Sequence, residues 1–213
     1  PGKTIRSRTM HESGTRAFIL TTICIIVMSI LTVSVQVRHL GLEYIITGTQ
    51  QKRHLAVMEG NAGNPWQYRV LSEHVVDTAV RAAWKFGIPR PVATAFIGCR
   101  VIQNMLIFIL CLLFYRALGI GHLLSLLGMS LLAWSMTHAL YDSDLQYNTY
   151  SDVIFYLFAG IVLVRGKYAW IIPITFLAAL NRETSGLIPF LLAAVMLARR
   201  DGKSMWSGPG III

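Results

Sequence analysis

The chain has 213 residues, 54% of them hydrophobic and only 14% charged. Soluble domains are about a quarter charged, so this composition excludes the ordinary soluble class and points to helices that meet lipid. A formal net charge of +9 would suit nucleic acid in a soluble protein. Here it reads as basic loop residues that orient spans and touch anionic lipid, with no nucleic-acid partner.

Residues 1–16 are polar, with Lys3, Arg6, Arg8 and Arg16 against Glu12, and read as a cytoplasmic basic tail. Ala17 to Gln36 is the first span. Its β-branched residues do not oppose a helix, because lipid forces the backbone to pair within the segment. It carries no clear cleavage motif, so a signal peptide is not the reading. Residues 37–91 form a long polar connection, broken by Gly60-Asn61-Ala62-Gly63-Asn64-Pro65. From about 68 to 86 the pattern turns amphipathic. Glu73, Asp77, Arg81 and Lys85 recur every four residues, while Val76, Val80, Ala83 and Trp84 fall on other faces. That pattern predicts a helix lying along the membrane surface, ended by Pro89 and Pro91.

Val92 to Tyr115 is the second span, with a polar stripe of Arg100, Gln103 and Asn104 turned toward the bundle. After a short turn at Gly119-Ile120-Gly121, His122 to Met136 is the third. Residues 138–152 are polar and acidic, with Asp142, Asp144 and Asp152. Val153 to Val164 is a short fourth span, closed by Arg165-Gly166-Lys167. The apolar tract 168–198 then carries Asn181-Arg182-Glu183-Thr184-Ser185-Gly186 at its centre. One unbroken helix there would be about 46 Å long, too long for a hydrocarbon core of about 30 Å. A hairpin broken at 181–186 returns Arg199, Arg200 and Lys203 to the side of the amino terminus, as the positive-inside bias prefers. The fold class is therefore all-α. It is a polytopic transmembrane helix bundle over 17–200, with an amphipathic surface helix in the first outer loop and a short broken-helix hairpin near the carboxyl terminus. Residues 201–213 form a tail with no finished element, which suggests a piece of a longer protein. Cys24, Cys99 and Cys111 match no metal or disulfide spacing and read as inert thiols.

Three polar segments meet at the outer face on this topology: 37–91, 138–152 and 181–186. Asp144, Asn148 and Asp152 are four apart, so a helical loop aligns them. Aligned carboxylates suit a divalent metal or a base; helix capping at Asp152 is the structural alternative. Arg182 and Glu183 are intramembrane ions and so functional candidates, with mutual pairing as the alternative. Arg182 offers a planar fork to phosphate, which Glu183 could orient. A phosphate at the start of the surface helix would meet backbone N–H groups and Arg69; belt aromatics Trp66 and Tyr68 give the bland reading.

A family resemblance follows from particular stretches. Tyr150-Ser151-Asp152 leads into Val153–Val164 and Arg165-Gly166-Lys167; Leu180-Asn181-Arg182-Glu183-Thr184 precedes Leu187-Ile188-Pro189; Asn64-Pro65-Trp66-Gln67-Tyr68-Arg69-Val70-Leu71 reads as a PxQYRxL pattern. Together with the order of spans, these resemble the front end of GT-C glycosyltransferases. The likeness is to protein-mannosyltransferase and aminoarabinose-transferase relatives, in an uncharacterised bacterial branch. The resemblance implies a bacterial inner-membrane enzyme with a cytoplasmic amino terminus that takes a sugar from a polyprenyl-phosphate donor. It implies that Asp152, with Asp144, helps hold a divalent metal ion or the donor phosphate. Arg69 and Arg182 would bind phosphate oxygens beside Asn181, Glu183 and Tyr68, and Glu43 or Glu59 would serve as base. The family's acidic pair soon after the first span has no counterpart here. A non-catalytic scaffold that joins partner membrane subunits therefore stays open, as does a transporter with an interrupted helix.

Overall fold

The computed structural model describes residues 2–138, 145 and 147–200; Asp142, Asp144 and the tail 201–213 lie outside the described residues. Every regular element among the described residues is helical. Helix α1 runs over Gly2–Leu40, so the basic stretch continues the first span as helix instead of forming a separate loop. The connection to the next long helix holds α2 (Leu42–Ile46), α3 (Thr49–Met58), a 3-10 turn at Trp66–Tyr68 and α4 (Val70–Lys85). Then come α5 (Pro91–Ala117), α6 (His122–His138) and α7 (Tyr147–Val164). The chain closes with α8 (Ile171–Ala179), a 3-10 turn at Glu183–Gly186 and α9 (Leu187–Arg200).

Among the described residues three helices are long and apolar enough to cross a membrane: Ala17–Leu40 within α1, α5 and α7. Helix α7 starts at least six residues before the expected Val153, so the polar stretch Tyr147–Asp152 is helical. Its alternation of Tyr, Asn, Ser and Asp reads as loop by composition, yet Tyr147, Tyr150, Ser151 and Asp152 find side-chain partners on neighbouring elements, and Asn148 accepts through its backbone carbonyl.

Long helices end in tight turns at one end of the bundle. Gly119 (φ 77°) and Gly166 (φ 68°) sit just past α5 and α7. Left-handed backbone there lets Ile120 N–H reach Tyr115 O and Lys167 N–H reach Val162 O, which satisfies carbonyls the helices leave open. Pro91 opens α5 where its missing N–H is harmless. We call this turn-bearing end the turn end, and the opposite end, which carries residues 41–90, the loop end.

Two contacts fix the helix directions. The Thr21 hydroxyl lies 3.2 Å from His122 Nε2 at the turn end. At the loop end Gln36 Nε2 donates to Met136 O at 2.9 Å. Helices α1 and α6 are therefore parallel, and α5 and α7 run against them. Between them lies an apolar core of Ile25, Ile107, Phe108, Cys111, Met129 and Ala133. A second core joins α7 to the hairpin through Ala159, Leu163, Ile171, Ile174, Ala178 and Ile188.

Helix α4 is packed on the protein. Val76 and Ala83 are buried, and Val76 joins Phe96 and Tyr147 in a third core while Val80 lies against it. The four-residue row of charges is split accordingly: Glu73 is buried, Arg81 is exposed, and Trp84 faces outward at 65% exposure. Periodicity gave the helix; it did not give which face the bundle would take.

Candidate functional site

The tract 168–198 is interrupted. Asn181 and Arg182 follow α8, and Arg182 is fully extended (φ −164°, ψ 148°), so the chain cannot continue as helix. Pro189 falls in the first turn of α9, where helix tolerates it. The freed polar groups need partners, and α7 supplies them from one face.

Asn148, Asp152 and Tyr156 are four residues apart on α7, with Thr149 beside them. Asn181 Nδ2 donates to Asn148 O at 2.7 Å and to Asp152 Oδ1 at 2.8 Å. The Thr184 hydroxyl donates to Asp152 Oδ2 at 2.7 Å, and Ser185 Oγ lies 3.4 Å from Oδ1. Tyr156 donates to Thr184 O at 2.7 Å. Arg182 Nη1 donates to Thr149 Oγ1 at 3.1 Å, and its Nε stands 3.9 Å from Asp152 Oδ2. Asp152 lies past the first turn of α7, so it is no helix cap; it holds the break against the helix.

The start of α4 completes the cluster. Leu71 N–H donates to Leu180 O at 3.1 Å. Arg69 Nη2 meets Glu183 Oε1 at 2.7 Å; the arginine is buried, while Glu183 is 58% exposed. Its own backbone N–H, and then the Arg69 guanidinium, hold the Glu183 carboxyl below the usual carboxylate range. Arg53 and Arg69 both lie over the Trp66 ring, at 3.9 and 4.7 Å from its centroid. Burial lowers the Arg53 guanidinium from its ordinary value, against the pull of Glu73.

A second polar layer sits behind α7. Arg100, wholly buried, donates to Gln36 Oε1 at 3.1 Å and Gln103 Oε1 at 2.7 Å, and stacks 3.1 Å from the Tyr150 ring centroid. Gln103 Nε2 donates to Tyr147 O and Ser151 Oγ at 2.9 and 2.8 Å. The Tyr147 hydroxyl donates to Phe96 O. Among the described residues no carboxylate pairs with Arg100.

Among the residues singled out from sequence, Arg69, Asp152, Asn181, Arg182 and Glu183 come together. Tyr68 is exposed beside them. Glu43 is exposed on α2, and Glu59 is exposed at the end of α3, where Asn61 donates to it at 3.4 Å. Neither joins the cluster among the described residues. Asp144 lies outside the described residues. Thr149, Tyr156 and Thr184 were not anticipated; the four-residue step from Asp152 to Tyr156 was the available signal. A buried group on the loop helices was missed as well: His54 Nδ1 stands 2.7 Å from Glu73 Oε2, and its Nε2 3.7 Å from Asp77 Oδ1.

The donor set has a chemical consequence. Both Asp152 oxygens already accept hydrogen bonds, and a guanidinium lies alongside. That arrangement suits a positioning carboxylate rather than a cation ligand. Arg182 is the partly open group, with its side chain 27% exposed. No family model, curated protein or solved structure matches this chain.

Proposed function

We propose that the loop end binds the phosphate of a lipid-linked sugar, and that the chain is the membrane module of a glycosyltransferase working at the non-cytoplasmic face. The observation that carries the reading is the convergence of Arg69 and Arg182 on one interrupted helix, each beside a carboxylate. Ions that interrupt an apolar tract in this way mark substrate paths. The depth is right for a headgroup. Ala17–Gln36 is about 30 Å of helix, the thickness of a hydrocarbon core. Gln36 would then stand at the outer boundary, with Arg100 and the start of α7 beside it. The hairpin exposes Phe176, Leu187 and Phe190 on the flanks of the break. A polyprenyl phosphate could therefore slide in sideways, its tail in lipid and its phosphate at Arg182. In this reading the chain crosses a bacterial inner membrane several times, with its amino terminus in the cytoplasm. Preset cations stabilise the departing phosphate, and Tyr68 offers an exposed ring to the sugar.

A second reading has its own support. The hydrogen-bonded Asp152, and an exposed Glu43 and Glu59 that make no recorded contact with the cluster, leave the described residues without a placed base. A non-catalytic subunit that holds a lipid phosphate for partner membrane subunits fits that arrangement. Sugar transfer from a polyprenyl-phosphate donor, measured in membranes carrying the full-length protein, separates the two. The enzyme reading expects transfer that Arg182→Ala abolishes while the protein remains inserted. The subunit reading expects no transfer by this protein alone, with donor binding still lost in Arg182→Ala. Unchanged transfer in Arg182→Ala removes the site assignment.

A further inference from the structure

The Arg69–Glu183 pair is unequal. Arg69 Nη2 meets Glu183 Oε1 at 2.7 Å, with the arginine side chain 9% exposed and the glutamate 58%. Arg69 Nε shares an edge of the guanidinium with Nη2, and it is buried with no hydrogen-bond partner among the described residues. Such an edge presents two parallel N–H groups, a fork that an oxyanion meets with two oxygens. Glu183 fills half of it. A buried donor left open calls for a physical reason.

Neither residue needs the other to keep its place. Arg69 joins the 3-10 turn Trp66–Tyr68 to α4, its N–H donates to Trp66 O at 3.0 Å, and its guanidinium lies over the Trp66 ring. Two residues on, Leu71 N–H holds Leu180 O. Around Glu183 the hairpin is fixed by its neighbours: Arg182 on Thr149, and Thr184 and Ser185 on Asp152. The cation is therefore set in the protein, while the carboxylate reaches it from solvent. An exposed carboxylate leaves such a pair at small cost, because water solvates it in turn. Arg182 repeats the pattern: its Nε is buried without a hydrogen-bond partner among the described residues, 3.9 Å from Asp152 Oδ2.

Resting on the phosphate reading above, we infer that Glu183 is a stand-in for an oxyanion at Arg69: an arriving lipid phosphate displaces the carboxylate and takes Nη2 and Nε together. A phosphate has at least two free oxygens and can span the edge that Glu183 meets at one point. The released carboxylate turns into water, and the hairpin stays where Asp152 and Thr149 hold it. Glu183 is then a specificity-determining residue. A headgroup must compete with a carboxylate for Arg69, so a neutral one leaves the pair closed.

Equilibrium titration of the detergent-solubilised full-length protein with polyprenyl phosphate tests this. Glu183→Gln keeps the size and loses the charge, and should bind the lipid about two- to fivefold more tightly than the native chain, the range of one exposed ion pair. Glu183→Asp keeps the charge but draws it back from Nη2 by one methylene, and should gain about twofold. Neither variant should gain affinity for polyprenol. Equal or weaker binding in Glu183→Gln overturns the stand-in and makes Glu183 a fixed part of the hairpin; the phosphate reading survives that result where Arg182→Ala still loses binding. A gain in Glu183→Gln with none in Glu183→Asp also overturns it, because charge repulsion alone then explains the difference. Absence of binding in both the native chain and Glu183→Gln removes the phosphate reading, and the stand-in with it.

Discussion

The two ends of this bundle are built by different physics. At the turn end, shape does the holding. Phe114 and Tyr115 of α5 press into notches at Gly160 of α7 and Gly128 of α6, where an added Cβ would lie 2.8 and 2.6 Å from the rings. Small residues that let helices approach are the usual means of association where no hydrophobic gradient exists between helix and lipid. At the loop end, polar groups do the holding: Asp152 with Asn181 and Thr184, Arg69 with Glu183, Arg100 with Gln36 and Gln103. Apolar packing needs only a volume match and can be repaired by another volume. A buried polar network needs every member, because removing one leaves the others desolvated and unpaired. The end that carries the exact chemistry is also the end that a single substitution can strand.

The comparison is sharpest at Asp152. Asp152→Ala leaves Asn181, Thr184 and Arg182 facing a buried void, and should cost about 3–5 kcal/mol of unfolding free energy in detergent. Asp152→Asn keeps an acceptor and should recover part of it. Equal loss in both variants would mean that the charge, not the hydrogen-bond pattern, holds the break. At the other end Gly160→Val overfills the notch and should cost about 1–3 kcal/mol. Trimming the ring with Phe114→Leu in the same chain should return much of that loss; no recovery would contradict a volume-based turn end. Smallest is Glu183→Gln. Its partner Arg69 is buried, but the carboxylate is largely in solvent, so the change should stay below about 1 kcal/mol. Because the carboxyl is held low in the folded state, its contribution is present at neutral pH and fades as pH falls through its titration. Thermal unfolding followed from neutral to acidic pH should show the native chain and Glu183→Gln converging.

Three of the expected spans were legible because apolar length is a one-dimensional property; the expected third, His122 to Met136, forms a helix that is apolar but shorter than those three. α5 came within two residues of its expected bounds, and a break in 168–198 was readable from two charges in a tract too long for one crossing. The start of α7 was not, because its first turns are polar, and polar residues look like loop unless their partners on α5 and the hairpin are known. The same holds for α3: Thr49–Met58 has no clear apolar face, and it is fixed by Gln50 accepting from Leu145 N–H and by His54 on α4. In the site, Arg69, Asp152 and Arg182 stood out as ions in odd company. Thr184 and Tyr156 are ordinary residues whose role exists only once the break folds against α7.

In the proposed function the interrupted helix at the loop end recognises a phosphate carried by a lipid. Native mass spectrometry of the full-length protein in the presence of polyprenyl phosphate and of the matching polyprenol tests it most directly. The native chain should retain the phosphate form and not the alcohol, and Arg182→Ala should lose at least about tenfold of that retention. Equal retention of both lipids, or of the phosphate by native chain and variant alike, would contradict it.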